Sequence, residues 1–292
     1  MSVPEPPSFT LRLSRLAQRF GVGGRQRPPP EHAGLERLPF KALQAPENNI
    51  WWQDGPPLER LVDLPRGALS GPVQQVKAQA HALLLRCVEL QCLESEAFDL
   101  RELDGVCAPR GEQPALAHLE DFATTAAGRA VRIISYKDFV KAISLALPGY
   151  LGGQHVEVRQ ADWHGSRLYW SGNQQVAALG MALAYARRRG LQVILPAIRQ
   201  HYRLSPAGLS ALDAAFHVLA LPGQAWEDPR FMELLLRDGT PYARLDQISP
   251  PGTPEWLLLP REGAADALGT ALRQAGAADV PGFLSGLRDA RA

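Results

Sequence analysis

From residue 129 onward the chain switches repeatedly between a hydrophobic period of 2 and one of 3.6, the pattern of strands and helices in succession. Residues 130–135 (AVRIIS) predict a strand. Residues 136–147 predict a helix, opened by the S-x-x-D pair Ser135 and Asp138 and stopped by Pro148-Gly149. Val156–Ala161 sets Val156, Val158 and Gln160 against Glu157, Arg159 and Ala161, a strand pattern. Residues 162–166 then read as a hairpin turn and 167–171 as its return strand. A helix is predicted from about Asn173 to Arg189, closed by Gly190 at its C-cap, with a strand over 191–198. Ser205 as N-cap and Pro206 in the first turn open a helix to about Ala215, and Phe216–Leu221 is an apolar strand. A helix from Trp226 or Asp228 to Gly239, paired strands over 242–248 and 255–259, and helices over 264–275 and 280–290 complete the pattern.

The first half is patterned differently. Residues 72–93 predict one helix opened by Pro72, with Val73, Val76, Ala80, Leu83, Leu84 and Cys87 on the apolar stripe. A second helix is predicted over 114–127. Residues 31–70 are irregular. Within them Trp51 and Trp52 are adjacent and face opposite sides of an extended chain. In residues 1–30, Phe9, Leu13, Leu16 and Phe20 fall at helical spacing with Arg12, Arg15 and Arg19 elsewhere on the wheel. This predicts a basic amphipathic arm, followed by a Gly- and Pro-rich linker. The expected fold is α+β or α/β, a helical N-terminal half packed on a mixed-sheet half. It divides into the arm 1–30, a mainly helical 31–128 and an α/β region 129–292.

Composition is that of a globular protein, with 46% hydrophobic and 21% charged residues in 292. No run of about 18 apolar residues and no uninterrupted apolar leader is present, so a cytoplasmic protein without a membrane span is expected. Cys87, Cys92 and Cys107 are too few for a disulfide framework and read as buried small hydrophobes, the first two in a helical stretch. The net charge is +1, but residues 129–203 carry 11 basic and 3 acidic residues, net +8, between acidic flanks. Such a basic middle is either an anion site or one part of a fold attracting another.

Phosphate-loop, dinucleotide-loop, HExxH and GxSxG signatures are absent from the sequence, which argues against the commonest nucleotide-hydrolysing, hydride-transferring and hydrolase designs. No catalytic residue, cofactor or metal is expected. Asp162 and His164 are expected at a solvated hairpin tip, and Trp163, Tyr169 and Trp170 in packing. Arg187, Arg188 and Arg189 at a helix end complement the helix dipole.

The order of elements over 131–199, with Ser171-Gly172-Asn173-Gln174-Gln175 at a strand-to-helix junction and Leu195-Pro196-Ala197 after Gly190, resembles the ParB and sulfiredoxin-like nucleotide-binding fold. In that family a Gly-x-[His/Arg]-Arg box starts the helix and grips phosphate. Here Gln174 and Gln175 stand where the cations belong, replacing charge-assisted contacts with neutral ones about half as strong. The resemblance therefore implies a degenerate scaffold. The ligand- or phosphate-binding candidates are the box residues Gly172, Asn173, Gln174 and Gln175, together with Arg167, Arg187, Arg188 and Arg189 of the basic region. The stretches ISYKDFV, GNQQVAALG, QAWEDPRFMELLL, PYARL and EWLLLP resemble a bacterial family of unknown function, which implies a cytoplasmic protein and supplies no activity.

The expected function is a non-enzymatic binding or protein-interaction role, with a protein partner for the arm. The alternative is nucleotide or nucleic-acid binding through 129–203, where Arg199, His201 and Arg203 lie near Tyr185 and Tyr202.

Overall fold

Two five-stranded sheets organise the computed structural model, which describes residues 34–109, 114–236, 239–246 and 253–291. The predicted arm 1–30 lies outside the described residues. The first sheet has the order β2 (Val88–Asp99), β6 (Ile194–Leu204), β4 (Val156–Ala161), β5 (Tyr169–Trp170), β3 (Gly105–Val106). It is mixed: β2–β6 and β4–β5 are antiparallel, β4–β6 and β3–β5 parallel. The second has the order β1 (Leu69–Ser70), β8 (Ala243–Leu245), β9 (Glu255–Pro260), β7 (Phe216–Leu221), β10 (Ala278–Asp279), antiparallel throughout.

Strand alternation distributes side chains among three cores. In β7, Phe216, Val218 and Ala220 enter a central core, while Leu219 and Leu221 enter an outer one. The central core also takes Ala161, Tyr169, Tyr202 and Leu204 from the first sheet. Helices α1 (Gln74–Leu84), α5 (Pro206–Ala215) and α8 (Val280–Arg291) contribute Leu84, Leu209 and Leu284 to it. Val156, Val158 and Ala197 face a second core under α3 (Tyr136–Ala146) and α4 (Val176–Arg189). The third core lies under α6 (Pro229–Leu236) and α7 (Gly263–Ala275).

The start of α3 follows the sequence: Ser135 Oγ accepts from the Asp138 amide at 3.2 Å, and Asp138 accepts from the Ser135 amide at 3.0 Å. The Ser205 hydroxyl likewise caps α5, with Pro206 in its first turn. The turn, strand pair and glycine cap around 156–190 are also present. The hairpin tip is a 3-10 turn, Asp162–His164, closed by Gly165 at φ 72°.

Four expectations are corrected. The helix over 72–93 ends at Leu84, and the chain continues as the 12-residue strand β2, so Cys92 is in a strand. The apolar stripe buries Val76, Ala80 and Leu84, and beyond it pairing with β6 overrides helix propensity. The helix over 114–127 is replaced by a 3-10 segment, Leu119–Thr124, and the short α2 (Ala126–Arg129), because Thr125 caps the latter by accepting from the Gly128 amide. Residues 130–135 are not a strand: Asp138 draws in the amides of Ile134 and Ser135, making the segment the lead-in to α3. The first half is not mainly helical. It supplies β1, β2 and β3, each hydrogen-bonded to strands from beyond residue 129.

Candidate functional site

The junction that the sequence singles out runs from β5 through Ser171 to α4, which starts at Val176, three residues later than expected. Asn173, Gln174 and Gln175 are exposed. Gly172 lies against the Trp170 indole, where a Cβ would sit 2.0 Å from the ring. Gln175 is the N-cap of α4 and has φ 54°, the one positive φ outside glycine among the described residues. Its side chain makes no capping bond.

The arginines are engaged elsewhere. Arg167 donates to the carbonyls of Asp104 and Ala117 at 3.2 and 3.1 Å. Arg187 donates to the carbonyls of Arg101 and Leu103 and pairs with Glu120 at 2.5 Å. Arg188 reaches back to the Ala184 carbonyl, and Arg189 lies over the Tyr185 ring. Among the described residues no hydrogen bond links these arginines to residues 172–175. Arg167 and Arg187 tie together chain segments more than 45 residues apart.

Two features that the sequence did not mark lie side by side at the other end of the first sheet. One is the outer edge of β2. Residues 89–97 are exposed on both faces, with Leu90 39% and Leu93 41% accessible. The edge carries no strand partner among the described residues. It bears Glu89, Glu94 and Glu96, and no lysine or arginine occurs between 88 and 99. Cys92 is exposed here, contrary to its expected burial, because an edge strand covered on neither face leaves a small side chain in solvent. Cys87 and Cys107 are buried, and desolvation pushes both thiols up to about 12, too high for a thiolate nucleophile at neutral pH.

The other feature is a pocket of about 540 Å³ lined mainly by polar residues. Register places Gln91 of β2, His201 of β6 and Gln160 of β4 in one row across the sheet. Arg203 follows two residues along β6, opposite Glu89. Asp162, at the end of β4, accepts from the Leu204 amide at 2.8 Å and meets His201 Nε2 at 3.1 Å. Burial pushes the Asp162 carboxyl up, but the His201 and Leu204 hydrogen bonds and the Arg203 charge outweigh it and hold the group below the ordinary value. Ser166 and Arg288 of α8 complete the wall.

Neither Asp162 nor His164 is a solvated tip residue, because α8 and residues 52–55 cover the turn. His164 is 4% exposed, with its ring 4.8 Å from Trp52 and 5.1 Å from Tyr169. In the same cluster, Trp52 Nε1 donates to Glu59 Oε1 at 3.3 Å. The second Glu59 oxygen has no hydrogen-bond partner among the described residues, and burial raises that carboxyl above its ordinary value.

Among the described residues no group of three His, Cys, Asp or Glu side chains gathers at metal-binding range, and no helix is long and apolar enough to cross a membrane. Two sheets and three helices around a shared core, with further helices on the outer sheet faces, define an α+β protein with a pocket beside an open strand. The chain belongs to the family of unknown function DUF6685, whose model matches residues 93–292. No curated protein and no solved structure matches the chain.

Proposed function

We propose that this is a non-enzymatic bacterial binding protein of the cytoplasm that captures an extended basic peptide segment by strand addition along β2. The observation that carries this reading is the 12-residue edge strand, exposed on both faces from 89 to 97 and unpaired on its outer side among the described residues. Such an edge offers a row of backbone donors and acceptors, and proteins normally blunt it with lysine, proline or a cover. Here the edge carries three glutamates and no cation, so it repels a second copy of itself and attracts a basic strand.

Reading the middle of the chain as a degenerate ParB/sulfiredoxin-like scaffold is supported by the order α3, β4, β5, junction, α4, β6 and by the exposed, neutral Gln174 and Gln175. The basic arm, outside the described residues, is a further contact for a protein partner by its charge. Nucleotide or nucleic-acid binding through 129–203 is the second reading. It is favoured by Arg203, exposed on β6 beside His201. It is weakened by the internal engagement of Arg167 and Arg187.

The test is amide hydrogen exchange of the full chain with an alternating Arg/Val peptide of about eight residues, a usual strand length. An alternating Glu/Val peptide serves as the control. The basic peptide is expected to protect residues 88–99, less at high salt, and to lose this effect in the double variant Glu89→Lys, Glu94→Lys. Equal protection by both peptides, or none by either, would overturn the reading.

A further inference from the structure

The pocket beside the strand edge has a chemistry of its own. We propose that it binds a small phosphomonoester, independently of any peptide on β2. Its floor is the row Gln91, His201, Gln160, two amides that each donate and accept on either side of an imidazole. Asp162 engages His201 at Nε2 and is itself fixed by the Leu204 amide, so the ring is held in place and Nδ1 is the nitrogen that Asp162 leaves open. A pocket that orients an imidazole through a carboxylate that is itself fixed by a hydrogen bond is organised before any ligand arrives.

Two guanidinium groups supply the positive charge. Arg203 comes from β6, is exposed, and its side chain makes no hydrogen bond among the described residues. Arg288 comes from α8 and pairs with its own neighbour Asp289, which is 65% exposed. A surface pair of that kind is weak and gives way to a better acceptor. Guanidinium matches phosphate in pairs of parallel hydrogen bonds. With the Ser166 hydroxyl, the wall offers more donors than the two oxygens of a carboxylate use, and three terminal phosphate oxygens match it better. Asp162 in the wall itself, Glu89 opposite Arg203, and Asp289 limit the local charge, which fits one phosphate group and not a polyanionic backbone. The volume, about 540 Å³, is that of a small-molecule site.

The experiment is titration calorimetry of the full chain with phenyl phosphate and with inorganic phosphate at constant ionic strength. Both are expected to bind, phenyl phosphate more tightly. Arg203→Gln and Arg288→Gln are each expected to weaken binding about tenfold or more, the usual effect of losing one charge-assisted contact. Arg230→Gln, a surface change remote from the pocket in sequence and sheet, is expected to leave affinity unchanged. Arg203 is exposed and Arg288 half-buried, and circular dichroism checks that both variants keep the fold. No binding of either probe at about 10 mM, weaker than any specific site of this design, would overturn the proposal. So would equal affinity in all three variants, which would place the anion elsewhere.

Discussion

Trp51 and Trp52 are consecutive residues that fill different cores. Trp51 packs edge-on against Phe122, ring centroids 5.8 Å apart at 86°, in the core beneath α3 and α4. Trp52 lies in the central core among Trp163, His164, Tyr169 and Tyr202. The dipeptide therefore pins an irregular segment to both faces of the first sheet. Trp51→Ala and Trp52→Ala should each cost about 3–5 kcal/mol, the range for emptying a buried aromatic site. Urea unfolding measures this, and a loss under about 1 kcal/mol for either would show that the segment does not anchor the core it enters.

Asp162 and Glu59 should shape pH dependence in opposite directions. The folded-state pKa of Asp162 is depressed, so its contribution is present above the ordinary value of 3.8 and is lost as pH falls through the folded value. Asp162→Asn should lower stability at neutral pH and flatten the acid limb. For Glu59 the folded value is raised by burial, so the native state holds its proton longer than the unfolded chain. Stability then falls as pH rises from 4.5 through the folded value. Glu59→Gln keeps an acceptor for Trp52 and should be more stable than the parent at neutral pH. Urea unfolding at several pH values separates the two signs.

The opposite facing of the two tryptophans was legible in the sequence because it needs only an extended backbone. So were the Ser135–Asp138 box and the Ser205-Pro206 start, since caps are local chemistry. β2 was not legible. Its run VELQCLE follows good helix formers without a glycine or proline break, and only β6, over 100 residues away, makes it a strand. The signal available was the alternation of Val88, Leu90 and Cys92 with Glu89 and Gln91. The pocket was hidden for the same reason: its row joins three strands whose register no local pattern encodes.

The three arginines at the end of α4 should separate on substitution. Arg187 ties two carbonyls and Glu120 to the helix, so Arg187→Ala leaves several groups unpaired and should cost about 2–3 kcal/mol. Arg188 and Arg189 are exposed, with contacts only inside their own helix, and their alanine variants should stay within about 0.5 kcal/mol of the parent. Thermal unfolding of the three variants tests this. Equal, small effects would free Arg187 for ligand contact and strengthen the nucleic-acid reading.

Gln175 holds a left-handed backbone at the start of α4 without a capping bond in return. That conformation costs a residue with a Cβ about 1–2 kcal/mol, and glycine escapes the cost at the expense of about 0.5–1 kcal/mol of extra freedom in the unfolded chain. Gln175→Gly should therefore raise stability by up to about 1 kcal/mol, seen as a modest rise in the unfolding temperature. The exposed neighbours Gln174 and Asn173 offer no charge, so ATP or CTP with Mg²⁺ should shift neither protein. A tightly bound nucleotide at 100 times its dissociation constant would add about 2.7 kcal/mol, well above the effect of the glycine. If Gln175→Gly is destabilising, the amide makes a contact worth more than its strain. If a nucleotide shift appears in the parent and vanishes in the variant, that contact is with the ligand, and the strained N-cap is a binding residue.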